Sequence, residues 1–314
     1  MKKILILTLG TILLLTACGG TPISPTPLPT STATPLPPTV TASVTPTDTA
    51  TPTFTPSPIP SATWVAQGPG NVMVPILLYH RIDYSPIDSR YYVTPEKFES
   101  EMKLLYDWGY TSITTEMLVK AITEGAELPP RPFLVTIDDG NLDNYTNAFP
   151  IMQKYGFTGV LYLVYNYVGT EHYMNKDQIL EMVEAGWEVG SHSMNHFDLK
   201  KIKPDQQRNE IVESRQLLEK LIGVPVKTFA YPFGSRNDSA INYVHFAKYI
   251  AAMSAEGFTA DQGKGNLYIL QRMEIKGTDD AKTFIRFLPW HGDPAYLPTD
   301  TPTPTATSTW TPRP

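Results

Sequence analysis

The sequence is poor in the residues that cross-link a chain, bind nucleic acid or span a bilayer. It holds one cysteine, Cys18, in 314 residues, so that thiol has no partner within the chain. Its net charge is −6 and no block of Lys or Arg stands out, which argues against nucleic acid as a partner. The longest apolar run, from Ile4 to Leu15, is too short for a comfortable membrane span. No Gly-x-Gly-x-x-Gly or phosphate-loop signature follows any strand pattern, so a nucleotide-binding fold has no support. Charge is nearly absent from one long stretch. Between Pro22 and Pro60 the only charged residue is Asp48, while twelve of the 30 prolines fall there. Such a segment cannot bury a core.

What is present is organised in blocks. Residues 1–17, "MKKILILTLGTILLLTA", combine two lysines, a short apolar run and small residues before Cys18, as a secretory signal does. Leu15-Thr16-Ala17-Cys18 resembles a bacterial lipobox, which implies cleavage before Cys18 and a lipid on its sulfur. The chain is therefore expected outside the cytoplasm, anchored to the cell membrane or cell surface through Cys18. Residues 18–69 read as a Thr/Pro-rich linker, and 298–314 as a tail of the same kind. At about 3.1 Å per residue, roughly 45 residues of extended linker span ~100 Å or more. Residues 70–297 remain as one globular domain, expected to act as a monomer.

Within that domain, apolar runs alternate with helical patterns. Strands are expected at 74–80, 110–114, 133–138, 159–165, 187–192, 226–232, 249–254 and 267–273. Their continuous Val/Ile/Leu character suits strands covered on both faces. Helices are expected between them, the longest being "PDQQRNEIVESRQLLEKLIG". This alternation reads as an α/β fold, a β/α barrel or an open sheet, with function at the C-terminal ends of the strands.

Chemistry-bearing residues stand at those ends. "FLVTI" ends in Asp138-Asp139-Gly140, and adjacent buried carboxylates are costly unless their charge is used. "WEVGSHSMNH" places His192 at a strand end and His196 four residues on, which share a face if the chain turns helically there. One carboxylate and two imidazoles make a three-ligand set for catalytic zinc, although the same set also holds iron. The spare carboxylate favours hydrolysis, which needs a general base. His80 ends another strand, where residues alone give it only a capping or core role. "FAYPFGS" ends a fourth, and a tight turn there could aim backbone N–H groups at an oxyanion.

"TIDDG", "HSMNH" and "FAYPFG", in that order, resemble the motifs of the polysaccharide deacetylases, carbohydrate esterase family 4 with the NodB-homology domain. "VPILLYHRI" and "LQRMEI" resemble flanking segments of the branch of secreted poly-N-acetylglucosamine deacetylases. The resemblance covers about residues 72–275 and implies an irregular (β/α)7 barrel. It implies that Asp139, His192 and His196 hold a divalent metal, usually zinc. It makes Asp138 the general base, the Phe233 backbone N–H an oxyanion donor and His80 the general acid. Ala230 stands where many members have an Arg that orients the base, and Arg272 is the candidate replacement. The implied reaction removes N-acetyl groups from an N-acetylglucosamine-containing polymer. An acetyl-ester hydrolase acting on acetylated xylan, or an inactive carbohydrate-binding protein, are the alternatives.

Overall fold

The computed structural model describes residues 64–87 and 89–292. The signal, the Cys18 lipidation motif, most of the linker and the tail lie outside the described residues. Among the described residues, no helix is long and apolar enough to cross a membrane.

Eight strands build the main sheet: β1 (Ile76–Tyr79), β2 (Thr111–Ser112), β3 (Pro132–Asp139), β4 (Val160–Leu163), β5 (Glu188–Ser191), β6 (Thr228–Ala230), β7 (Ala251–Met253) and β8 (Met273–Glu274). Their spatial order is β7-β6-β5-β4-β3-β1-β8, and β2 pairs with the start of β3. All these pairings are parallel. One segment links the two edges: Leu270 bridges Met253 of β7, and three residues later β8 pairs with β1. The result is a curled, irregular (β/α)7 barrel, as the family resemblance implied; the alternation of patterns had left an open sheet as the other reading.

The helices are α1 (Pro95–Asp107), α2 (Thr115–Thr123), α3 (Phe149–Lys154), α4 (Lys176–Glu184), α5 (Pro204–Arg208), α6 (Ser214–Ile222), α7 (Asp238–Phe246) and α8 (Ala281–Arg286). Local sequence explains their starts. Thr94 Oγ1 accepts from Lys97 N with Pro95 in the first turn, Thr114 caps α2, and Asn175 with Gln178 forms a capping box on α4.

The period of two along each strand separates two apolar layers. Leu77, Tyr79, Val135, Ile137, Leu161 and Leu163 pack outward with helix residues such as Phe98, Met102 and Leu105. Ile76, Leu134, Val160, Tyr162, Ala230 and Met253 fill the barrel interior. Leu134, Thr136 and Asp138 therefore share the inward face of β3. Gly190 of β5 belongs to this close packing: a Cβ there would lie 2.2 Å from the Tyr162 ring.

Two expectations need correction. The run 267–273 is not one strand; only Met273–Glu274 is, preceded by a 3-10 turn at Lys264–Asn266. Its register frees Arg272 to enter the barrel, where the side chain is fully buried. The long helix after Pro204 is broken by a π turn at Asn209–Glu213.

Candidate metal centre and active site

The site begins with the sharp end of β3. Asp138 is 2% exposed on the inward face. Asp139 follows in the left-handed region at φ 76°, which turns the chain out of the sheet and leaves both carboxyls at the barrel mouth.

Arg272 grips Asp138 with both terminal nitrogens. One donates to Oδ1 at 2.7 Å and the other to Oδ2 at 2.8 Å. The guanidinium is itself fixed, donating through Nε to the Ser254 carbonyl at 2.7 Å and lying 5.4 Å from the Tyr162 ring centroid. Burial alone would push the Asp138 carboxyl up. The Arg272 charge outweighs it and holds Asp138 well below the usual carboxylate range. Asp138 is thus an oriented, ionised base with both oxygens occupied by one fork.

Asp139 is different. Its Oδ1 is buried and has no hydrogen-bond partner. Burial pushes this carboxyl up to about 6, against the pull of His80 and with the repulsion of Asp138. His192 Nε2 stands 3.7 Å and His196 Nε2 3.5 Å from that oxygen. These are too long for hydrogen bonds. They suit ligand atoms about 2.0–2.1 Å from one tetrahedral ion, which stand roughly 3.3–3.4 Å apart. His192 Nδ1 pairs with the Ala230 carbonyl at 2.8 Å, so its proton sits there and Nε2 presents a lone pair. Burial lowers the His192 imidazole to about 3 and lowers His196 too, which keeps both neutral as ligands must be. An orphaned buried carboxylate oxygen facing two neutral imidazoles fits a divalent cation.

The two histidines do not share a helical face, as the four-residue spacing suggested. The chain from Ser193 to His196 is an irregular turn with Ser193 at φ 73° and His196 at φ 60°. Ser193 Oγ accepts from His196 N at 2.9 Å, a local bond that competes with helix. The rings still meet, with centroids 4.9 Å apart.

His80, just beyond β1, lines the same cavity of about 850 Å3 as Asp138, Asp139, His192, His196 and Phe233. Its carbonyl accepts from Asn144 Nδ2 at 2.9 Å, a tie that the sequence patterns did not suggest. Its ring meets Tyr91 at 4.8 Å, and its Nδ1 is buried without a partner. Burial lowers this imidazole while Asp138 and Asp139 pull it up. Phe233 sits in the left-handed region at φ 58° within the Pro232–Gly234 turn, its exposed ring 4.6 Å from that of His196. The structure thus brings every sequence-predicted residue of the domain, Arg272 included, to one end of the barrel.

Comparison with known proteins bears on the family. A family model described as polysaccharide deacetylase matches residues 125–252. The crystal structure of BC0361, a polysaccharide deacetylase from Bacillus cereus, is 30% identical, with a TM-score of 0.62 and 69% of each chain covered. The chain belongs to the polysaccharide deacetylase family. The family model and the relatives indicate a polysaccharide N-deacetylase, a hydrolase acting on carbon–nitrogen bonds. The Streptococcus pyogenes deacetylase PplD, solved with acetate, is 26% identical at a TM-score of 0.65, covering 69% of this chain and 98% of PplD. A poly-beta-1,6-N-acetyl-D-glucosamine N-deacetylase of Staphylococcus aureus is 27% identical over 207 residues, 61% of this chain and 69% of its own.

Proposed function

We propose that this polysaccharide deacetylase hydrolyses N-acetyl groups on an N-acetylglucosamine-containing polymer, with zinc held by Asp139, His192 and His196. The observation that carries the reading is the pairing of an Arg272-clamped, ionised Asp138 with an unpartnered Asp139 oxygen that faces two neutral imidazoles. The metal, when bound, supplies a Lewis acid that acidifies water and polarises the acetyl carbonyl. The chain's residues do the rest. Asp138 takes the proton of the attacking water, and Arg272 keeps that carboxylate charged and aimed. The Phe233 backbone N–H donates to the acetyl oxygen as it gains charge. His80 returns a proton to the departing amine. The branch of the family to which "VPILLYHRI" and "LQRMEI" point, and the named activity of the S. aureus relative, support the amide over the ester.

The test is acetate release by purified 70–297 from N-acetylglucosamine oligomers, peptidoglycan and acetylxylan. Release from the amino sugars should stop on full chelation and return with zinc. Activity that survives complete metal removal, or that is confined to acetylxylan, would overturn the proposal.

The domain is further proposed to hang from a membrane by lipid on Cys18 and a linker over 18–69. The lipobox-like Leu15-Thr16-Ala17-Cys18 supports this. Cys18→Ser should move the protein from the membrane fraction to the medium. Unchanged sedimentation with membranes would count against the anchor.

A further inference from the structure

The turn that carries His196 holds two non-glycine residues in the left-handed region, Ser193 and His196. Such conformations cost roughly 1–3 kcal/mol each and persist only when surrounding contacts impose them. The strongest of those contacts comes from a residue sixteen positions past Met194, in another element. Glu210 is 3% exposed. Its Oε2 accepts from the backbone N–H of Met194 at 3.1 Å and of Asn195 at 2.8 Å. Its Oε1 accepts from Asn195 Nδ2 at 2.6 Å. Asn195 Oδ1 accepts in turn from Asn166 Nδ2 at 2.7 Å, which ties the turn to the segment after β4.

The π turn between α5 and α6 explains how Glu210 reaches inward. Glu210, Ile211 and Val212 are buried in succession, which a regular surface helix with one apolar stripe does not allow. The extra residue of the π turn resets the phase so that Glu210 points at the histidine turn while Ile211 and Val212 join the core.

We propose that Glu210 is a positioning residue for the metal: it clamps the Met194–Asn195 backbone so that His196 Nε2 stays in register with His192 Nε2 and Asp139 Oδ1. This rests on the ligand assignment above. Glu210 touches neither ligand atoms nor substrate and acts through the turn. Partners of this kind typically change metal affinity 10–100-fold when mutated.

The geometry offers a reciprocal test. In Glu210→Gln the introduced amide cannot accept from both the backbone pair and Asn195 Nδ2, so one group faces a donor. In Asn195→Asp the introduced carboxylate faces that of Glu210. In the double variant the new amide donates to the new carboxylate, its oxygen still accepts from the backbone pair, and net charge is unchanged. Zinc affinity of the purified chain is read by competition with a chelating dye, beside the thermal midpoint of the metal-free protein. Each single change should weaken zinc by about 10-fold or more, and the double should recover most of that loss. Singles that bind zinc within threefold of wild type, with only a lowered midpoint, would reduce Glu210 to a structural role and overturn the proposal. So would a double no better than the weaker single. His192→Ala separates the two readings. If it loses zinc while Glu210→Gln does not, the clamp alone fails. If it binds zinc like wild type, the ligand assignment fails and the clamp with it.

Discussion

Asp138→Asn is expected to retain zinc and lose turnover, with kcat falling roughly 10²–10⁴-fold, the range attributed to a general base. The two neighbouring carboxylates could in principle exchange roles, and the hydrogen bonds decide between them. Both Asp138 oxygens are taken by the Arg272 fork, at 2.7 and 2.8 Å, whereas Asp139 Oδ1 has no partner. A ligand needs a free lone pair directed at the ion, and Asp139 has it. A base needs to be charged and fixed, and Asp138 is both. An amide at 138 keeps the shape but takes no proton from water. It also leaves the buried Arg272 charge without its counter-ion, so the thermal midpoint should fall, because breaking one side of a buried pair costs about 3–5 kcal/mol. Metal analysis of the purified variant beside acetate release checks both halves. A variant that loses zinc would show Asp138 to be a ligand; one that turns over within tenfold of wild type would remove it as the base. Asp139→Ala is the counterpart, expected to lose zinc and activity together.

The parts of this site that were legible in the sequence share one property: they are strand-end residues of uncommon type. Asp138, Asp139 and His192 each close an apolar run, and a β/α architecture puts all such ends on one side; His80 closes another run, but only the family resemblance gave it a role. Local propensity could say little about what lies between them. The spacing of His192 and His196 suggested a helical turn, but the side-chain bond from Ser193 and the Glu210 clamp hold the backbone in left-handed conformations instead. "LYILQRM" reads as a strand because its residues are apolar, yet its middle serves to bridge β7 to β8 and to admit a buried Arg. Glu210 lies within the expected long helix "PDQQRNEIVESRQLLEKLIG", where no residue pattern singles it out. Only a π turn, which no residue pattern announces, turns it inward. Each miss is a place where a tertiary contact overrides a local preference.

Arg272 yields the second large effect. The barrel interior that holds Asp138 is apolar, with Tyr162, Ala230 and Met253 in the same layer, and in that setting an unpaired carboxylate would take up a proton. Arg272→Met removes the opposing charge and leaves burial, which drives the Asp138 carboxyl upward from well below the usual range. A base is active only when ionised, so the acid limb of the pH–rate profile should move to higher pH. At pH 7 kcat should fall by roughly 10²-fold, and part of the loss should return as pH rises. Arg272→Lys keeps a charge but loses the two-pronged geometry and the bond from Nε to Ser254. It should hold the limb nearer its original position while still lowering kcat, because aim and charge are then separated. A limb that stays in place in Arg272→Met would mean that the charge of Arg272 does not set the base. Equal kcat in wild type and Arg272→Lys would mean that the fork does not aim it. The recovery at high pH is the sharper readout, because a variant damaged only in its folding would lose activity at every pH alike.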